Sequence, residues 1–159
     1  MKILNQKQIR ETDAFTIKNE PIASIDLMER AASQFVKRLL KKVLIQGEIH
    51  IFCGKGNNGG DGLVAARLLM NQNYVVTSYI IEYSNQASED FVCNYDRLKN
   101  TKTARIIHLD ENSKFPRIEN NDVVIDAMWG TGLCRPIEGF SKSIIEKINR
   151  SDAKIIALD

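Results

Sequence analysis

The run GKGNNGGDG, Gly54 to Gly62, carries five of the chain's nine glycines. Glycine loses more backbone freedom on folding than any other residue, so a cluster of this density marks a place where side chains do not fit. It is preceded by EIHIFC, Glu48 to Cys53, a short β-branched and aromatic run that reads as a strand. It is followed by LVAARLLMNQ, Leu63 to Gln72, which reads as a helix. A strand, a glycine turn and a helix make the first half of a βαβ unit, and few fold classes are built on such units.

The rest of the chain keeps the alternation. Asn5 to Asn19 has apolar residues at Ile9, Phe15 and Ile17 and reads as a helix that stops before Glu20-Pro21. A long amphipathic helix starts at Ser24, its expected cap, with Leu27, Met28, Ala31, Ala32, Phe35, Leu39 and Leu40 at helical spacing and Gly47 as its stop. After the glycine turn and its helix come a buried-type strand (Tyr74 to Glu82), a helix (Ser84 to Thr101) and a strand (Ala104 to Leu109). Then follow a further strand, DVVIDAMW (Asp122 to Trp129), a helix (Glu138 to Arg150) and a last strand, AKIIALD (Ala153 to Asp159), whose apolar run suits pairing inside a parallel sheet. Right-handed crossovers then give an α/β, Rossmann-like, doubly wound and mainly parallel sheet with helices on both faces, three layers in all. Its 159 residues form one domain, with no repeat, linker or low-complexity tract.

Composition excludes several function classes. The 22 basic and 20 acidic residues leave a net charge of +2, too weak for a nucleic-acid footprint. No stretch approaches a membrane span, and the first fifteen residues hold no apolar run long enough for a signal peptide. Three widely spaced cysteines, with no CxxC and no zinc-type Cys/His spacing, suit a reduced, cytoplasmic compartment.

In a doubly wound sheet, ligands sit beyond the carboxyl ends of the strands. Three strands end in chemistry there: Cys53 runs into the glycine turn, Asp126 into GTGLCRP, and Asp159 closes the chain. Gly54, Gly56 and Gly59 form a G-x-G-x-x-G, and Glu82 stands at the end of the next strand, where a dinucleotide fold places its ribose-binding acid. Spacing alone therefore suggests a nicotinamide-dinucleotide site. Asn57, Asn58 and Asp61 fit a simple phosphate cradle less well. Their carbonyl, amide and carboxylate groups suit a hydroxylated or amide-bearing ligand, or a hard cation held through oxygens. Asp61 reads either as that carboxylate or as a cap on the following helix.

GKGNNGGDGLVAARLL resembles the signature of the NAD(P)H-hydrate epimerase family. So do DAMWGTGLCRP with the helix after Gly139, and LMERAA, Leu27 to Ala32. The likeness runs along nearly the whole chain in the family's order. It implies a repair activity: interconversion of the R and S forms of hydrated NADH and NADPH at C6 of the nicotinamide ring. An S-specific, ATP- or ADP-dependent dehydratase, fused or separate, would consume the product. It also implies a bound potassium ion and a homodimer. Carried over by motif, Asn57, Asn58, Gly59, Gly60 and Asp61 would contact the substrate, as would Gly130, Thr131, Gly132, Leu133, Cys134, Arg135, Pro136 and Asp159. Asn58 and Asp126 would ligate potassium. In the family a Pro-Ser-Gly segment lies just beyond the equivalent of Asp159, and its Ser completes the potassium site. This sequence stops at that Asp, which makes a fragment of a longer protein the expectation.

The chemistry asked of the site is modest. C6 of the hydrate is a carbinolamine, so an acid that protonates the departing hydroxyl and a base that activates the returning water suffice. Asp126, after an apolar strand, and Asp61 are the candidates. Lys55 and Arg135 read as possible phosphate partners or as solvated loop charges, and Trp129 as a stacking surface or a core residue. His50 and His108 read as structural, and Cys53 and Cys134 as small packing residues. Two other readings remain: a nicotinamide-dependent oxidoreductase, for which 159 residues leave no second catalytic domain, and a non-catalytic Rossmann-like scaffold.

Overall fold

A computed structural model of the chain describes residues 5–130, 133 and 136–158. The elements are α1 (Gln6–Asn19), α2 (Ser24–Lys42), β1 (Ile49–Cys53), α3 (Asn57–Asn71), β2 (Val76–Ile81), α4 (Glu89–Lys99), β3 (Arg105–Leu109), β4 (Val123–Ala127), α5 (Gly139–Asn149) and β5 (Lys154–Ala157). The strands form one sheet in the order β3-β2-β1-β4-β5, and every pairing is parallel. The chain leaves β1 outward through β2 to β3, then returns to β4 on the other side of β1. That reversal opens a crevice between the carboxyl ends of β1 and β4.

Right-handed crossovers explain the layers. One face of β1 and β4, with Ile49, Ile51, Cys53, Val123 and Ile125, packs against α3, α4 and part of α2. The other face, with Phe52, Tyr79 and Val124, packs against Ile144 and Ile148 of α5 and against Phe115 and Ile118 from the connection before β4. Alternate residues of these strands serve two cores, which is why β1, β2 and β4 are buried along nearly their whole length, including the polar His50, Thr77 and Ser78.

Several boundaries differ from the sequence reading. Ala23, not Ser24, is the N-cap of α2, and the Ser24 hydroxyl instead donates to Asp90 Oδ2 on α4 at 2.7 Å. A tertiary partner has outcompeted the local cap. Helix α2 ends at Lys42, short of Gly47. Gly47 answers to a different need: a β-carbon there would meet Asp122 Oδ1 at 2.3 Å and the Asn121 carbonyl oxygen at 2.7 Å. The strand at residues 154–157 is an edge strand, paired with β4 alone and largely exposed, rather than an internal one.

The largest shift is at the glycine turn. Helix α3 starts at Asn57, six residues before the expected Leu63, so Gly59, Gly60 and Gly62 are buried helical residues. Helix propensity argues against this, since each glycine costs about 1 kcal/mol relative to alanine. Close approach of backbone to backbone overrides it.

Candidate active site

The site is built where β1 and β4 end side by side. Their ladder continues one step past the strands, with the Gly54 amide donating to the Ala127 carbonyl at 3.1 Å. A β-carbon on Gly54 would meet the Met128 carbonyl oxygen at 2.0 Å, and one on Gly59 would meet the Gly54 carbonyl oxygen at 1.7 Å. The turn is thus folded back on itself until only glycine fits at both positions. Gly56 caps α3 without a side chain. In the first turn of α3, the Asn58 Nδ2 is buried with no hydrogen-bond partner. A buried amide left without a partner costs about 1–3 kcal/mol, so its presence calls for an explanation.

Asn57 and Asp61 face the α1–α2 side. They border a cavity of about 150 Å3 shared with Asp13, Ser24, Met28 and Asp90. Asp61 also borders a neighbouring cavity of about 130 Å3 with Ala31, Phe35 and Leu158. Asp61 sits in the second turn of α3 and is half-buried, so it does not cap the helix. A larger cavity of about 260 Å3, lined by Met70, Tyr74, Val76 and Arg105, lies at the amino ends of β2 and β3, away from all of this chemistry.

Asp126 stands in β4, in register with Phe52 of β1 and Ala157 of β5. Its carboxylate accepts the Met128 amide at 3.0 Å, and its carbonyl accepts the Leu158 amide at 2.9 Å. Leu158 therefore links Asp126 to the cavity that Asp61 borders. Burial pushes the Asp126 pKa above the ordinary carboxylate value and outweighs the Met128 hydrogen bond, which lowers it. Next to it, burial and then the charge of Asp126 push the Cys53 thiol far up, so Cys53 is no nucleophile.

Lys55 and Glu82 are committed elsewhere. The Lys55 ammonium pairs with Glu82 Oε2, and the Lys55 carbonyl accepts the Ser88 amide at 2.9 Å. Glu82 Oε1 meets His108 Nδ1 at 2.6 Å, and His108 Nε2 meets the Tyr95 hydroxyl at 2.9 Å. Partial burial pushes the Glu82 carboxyl up, but its bonds to Lys55 and His108 win and hold it below its ordinary value. Glu82, the acid that the spacing placed at a ribose, thus already accepts from both Lys55 and His108. His50 lies at the other end of the sheet, between the Tyr79 hydroxyl and Asp122 Oδ2, both at 3.1 Å.

Residues 24–159 match the family described as the YjeF-related protein N-terminus. The NAD(P)H-hydrate epimerase of Lentilactobacillus buchneri is 38% identical over 159 residues, covering 96% of this chain and 69% of that protein. The chain belongs to the NAD(P)H-hydrate epimerase family. The NAD(P)H-hydrate epimerase of Rhodobacter capsulatus is 30% identical over 99% of this chain and 75% of its own length. The bifunctional NAD(P)H-hydrate repair enzyme Nnr of Thermofilum pendens is also 30% identical, but the chain spans only 31% of it. The crystal structure of yeast ynu0 (YNL200c) superposes with a TM-score of 0.81 at 22% identity, covering 100% of this chain and 70% of that one, a likeness of fold.

In this epimerase-family chain the structure brings Asn58 and the glycine turn to the end of β1, and Asp126 to the neighbouring end of β4. Asp61 points to the α2 side of α3. Gly130 follows Trp129 and accepts the Leu133 amide at 3.2 Å, while Leu133 and Pro136 are exposed. Thr131, Gly132, Cys134, Arg135 and Asp159 lie outside the described residues. The Ser24–Asp90 link and the Lys55–Glu82–His108–Tyr95 chain were invisible in sequence, because each joins residues on different elements. Among the described residues no helix is long and apolar enough to cross a membrane.

Proposed function

We infer that this chain interconverts the R and S hydrates of NADH and NADPH at C6 of the reduced nicotinamide ring. The observation that carries the reading is the placement of an Asn58 Nδ2 that is buried without a partner, just beyond the end of β1, and of a half-buried carboxylate, Asp126, near the end of the adjacent β4. The names of the relatives support it.

The reaction needs no redox partner. The ring nitrogen's lone pair expels the C6 hydroxyl as water once an acid has supplied a proton, leaving a planar iminium. Water then adds to the opposite face and returns the proton to the base. Asp126, its pKa raised by burial, holds a proton to higher pH than an ordinary aspartate and can serve as that acid, then, as carboxylate, as the base. The carboxylate beside the iminium also offsets its positive charge. Asp61 is the second candidate for the proton.

A potassium ion belongs to the reading. An amide and a carboxylate suit a hard monovalent cation. The buried end of the Asn58 amide, turned to present oxygen, would hold the ion together with the ionised form of Asp126. When bound, the ion would anchor substrate oxygens and offset negative charge. A homodimer, and a dehydratase that removes the S hydrate, complete the proposal. The bifunctional repair enzyme of T. pendens supports the second activity.

The test is proton NMR of R-enriched NADPH hydrate after addition of the protein, in potassium and then in sodium buffer. Accelerated approach to the R/S equilibrium, faster in potassium and losing that dependence in Asn58→Ala, is the expected result. An approach no faster than in buffer alone would overturn the reading.

A further inference from the structure

We propose that Tyr83 and Trp129 form the platform on which the adenine base of the substrate stacks. The proposal rests on the substrate being a hydrated dinucleotide and adds where its non-reacting end is held.

Tyr83 and Trp129 occupy matching places, each two residues beyond a strand, β2 and β4, and these strands flank β1. Their ring centroids are 5.3 Å apart with the planes tilted by 38°. The pair therefore crosses above the end of β1, where the glycine turn begins. Gly54 runs directly beneath: a β-carbon there would meet the Tyr83 hydroxyl at 2.8 Å. Trp129 packs one side against the α5-face cluster and is half-buried, which fixes its ring. Tyr83 is 39% exposed. The outcome is a supported aromatic surface open to solvent at the ligand-binding edge of the sheet.

The chemistry of the substrate selects its adenine end. Hydration leaves C4, C5 and C6 of the nicotinamide ring tetrahedral, so the reacting ring has no aromatic face to stack. Adenine is the one aromatic ring in the molecule. The neighbourhood also suits the phosphates that tether it. Glu82, next to Tyr83 in sequence, is charge-paired with Lys55 and bonded to His108, so no bare carboxylate faces them.

Trp129 is the chain's only tryptophan, so its fluorescence reports on this surface alone. Two probes separate the ends of the substrate: ADP-ribose carries adenine without nicotinamide, and nicotinamide mononucleotide the reverse. Saturable quenching by ADP-ribose and none by nicotinamide mononucleotide is expected. Tyr83→Ala should weaken ADP-ribose binding about tenfold, within the range for a base stacked on an aromatic side chain. In epimerisation the loss should fall on KM rather than on kcat, and Tyr83→Phe should recover it. Quenching by nicotinamide mononucleotide instead, or an unchanged ADP-ribose affinity in Tyr83→Ala, would overturn the platform. Failure of the functional reading would look different: the unaltered protein would not interconvert the hydrates, whatever ADP-ribose does to Trp129.

Discussion

Gly59 rests against Gly54 so closely that a β-carbon on the first would lie 1.7 Å from the carbonyl oxygen of the second. The glycine turn is thus a packing unit joined to the sheet, and its substitution does more than block a ligand. Gly59→Ala forces backbone against backbone, which no rotamer relieves. A loss near the top of the range of about 1–3 kcal/mol for overpacking is expected, or a fall in Tm on the order of 10 °C, together with loss of activity. Gly60→Ala is the control: its β-carbon meets the flexible Met28 side chain, at 3.0 Å from Sδ and 3.1 Å from Cε. Thermal denaturation of both variants checks the contrast, and equal stability of the two would contradict it.

Asp126 couples catalysis to stability with opposite signs. Its pKa is raised in the folded chain, so between the ordinary carboxylate pKa and the raised one the folded state binds more protons than the unfolded state. Stability contributed by that proton is lost as pH rises through this window. Asp126→Asn removes the penalty and should raise Tm at neutral pH in potassium-free buffer, while lowering turnover on the order of 100-fold. Added potassium should narrow the Tm difference by stabilising the carboxylate. A variant that is both less stable and fully active would refute the assignment.

The Lys55–Glu82 pair anchors the glycine turn to β2. The Lys55 side chain is only 16% exposed, so solvent screens the pair weakly. Lys55→Met and Glu82→Gln should be non-additive in urea unfolding, with a coupling of about 1 kcal/mol. Both should raise KM for the hydrate, because the turn loses its lateral tether. Additive effects would show that the contact carries no energy.

At the opposite end of the sheet, Asp122 gathers three donors: the Glu48 and Glu119 amides, both at 2.8 Å, and His50 Nε2 at 3.1 Å. Burial pushes its pKa up, yet these bonds win and hold it below the ordinary value. Its contribution is therefore present above the ordinary carboxylate pKa and lost as pH falls through the depressed one. Asp122→Ala strands the donors and should cost about 3 kcal/mol or more. It should also move the acid-unfolding midpoint to higher pH. KM for the hydrate should not change, since the residue lies at the amino ends of β1 and β4.

What the sequence determined by itself is local and periodic. The largely apolar, β-branched runs of β1, β2 and β4 marked strands of a parallel sheet, and helical spacing picked out Met28, Ala32 and Leu39 on the buried face of α2, while it missed the buried Val36 and included Ala31, which is exposed. The alternation of the two dictated a doubly wound sheet, and the Asn57–Asp61 run dictated the family. Backbone geometry and side-chain pattern carry such information within a few residues of chain. The tertiary structure alone decided what distant residues do to one another. It placed Gly59 against Gly54, so that glycines with poor helix propensity became the first turns of α3. It gave Ser24 to Asp90 rather than to its own helix, and it closed Glu82 between Lys55 and His108. It also brought the rings of Tyr83 and Trp129 together, tilted against each other, across the end of β1. Each of these is a contact between elements, set by strand order and crossover handedness, and a hydrogen bond or steric limit imposed from another element outweighs a local preference worth about 1 kcal/mol.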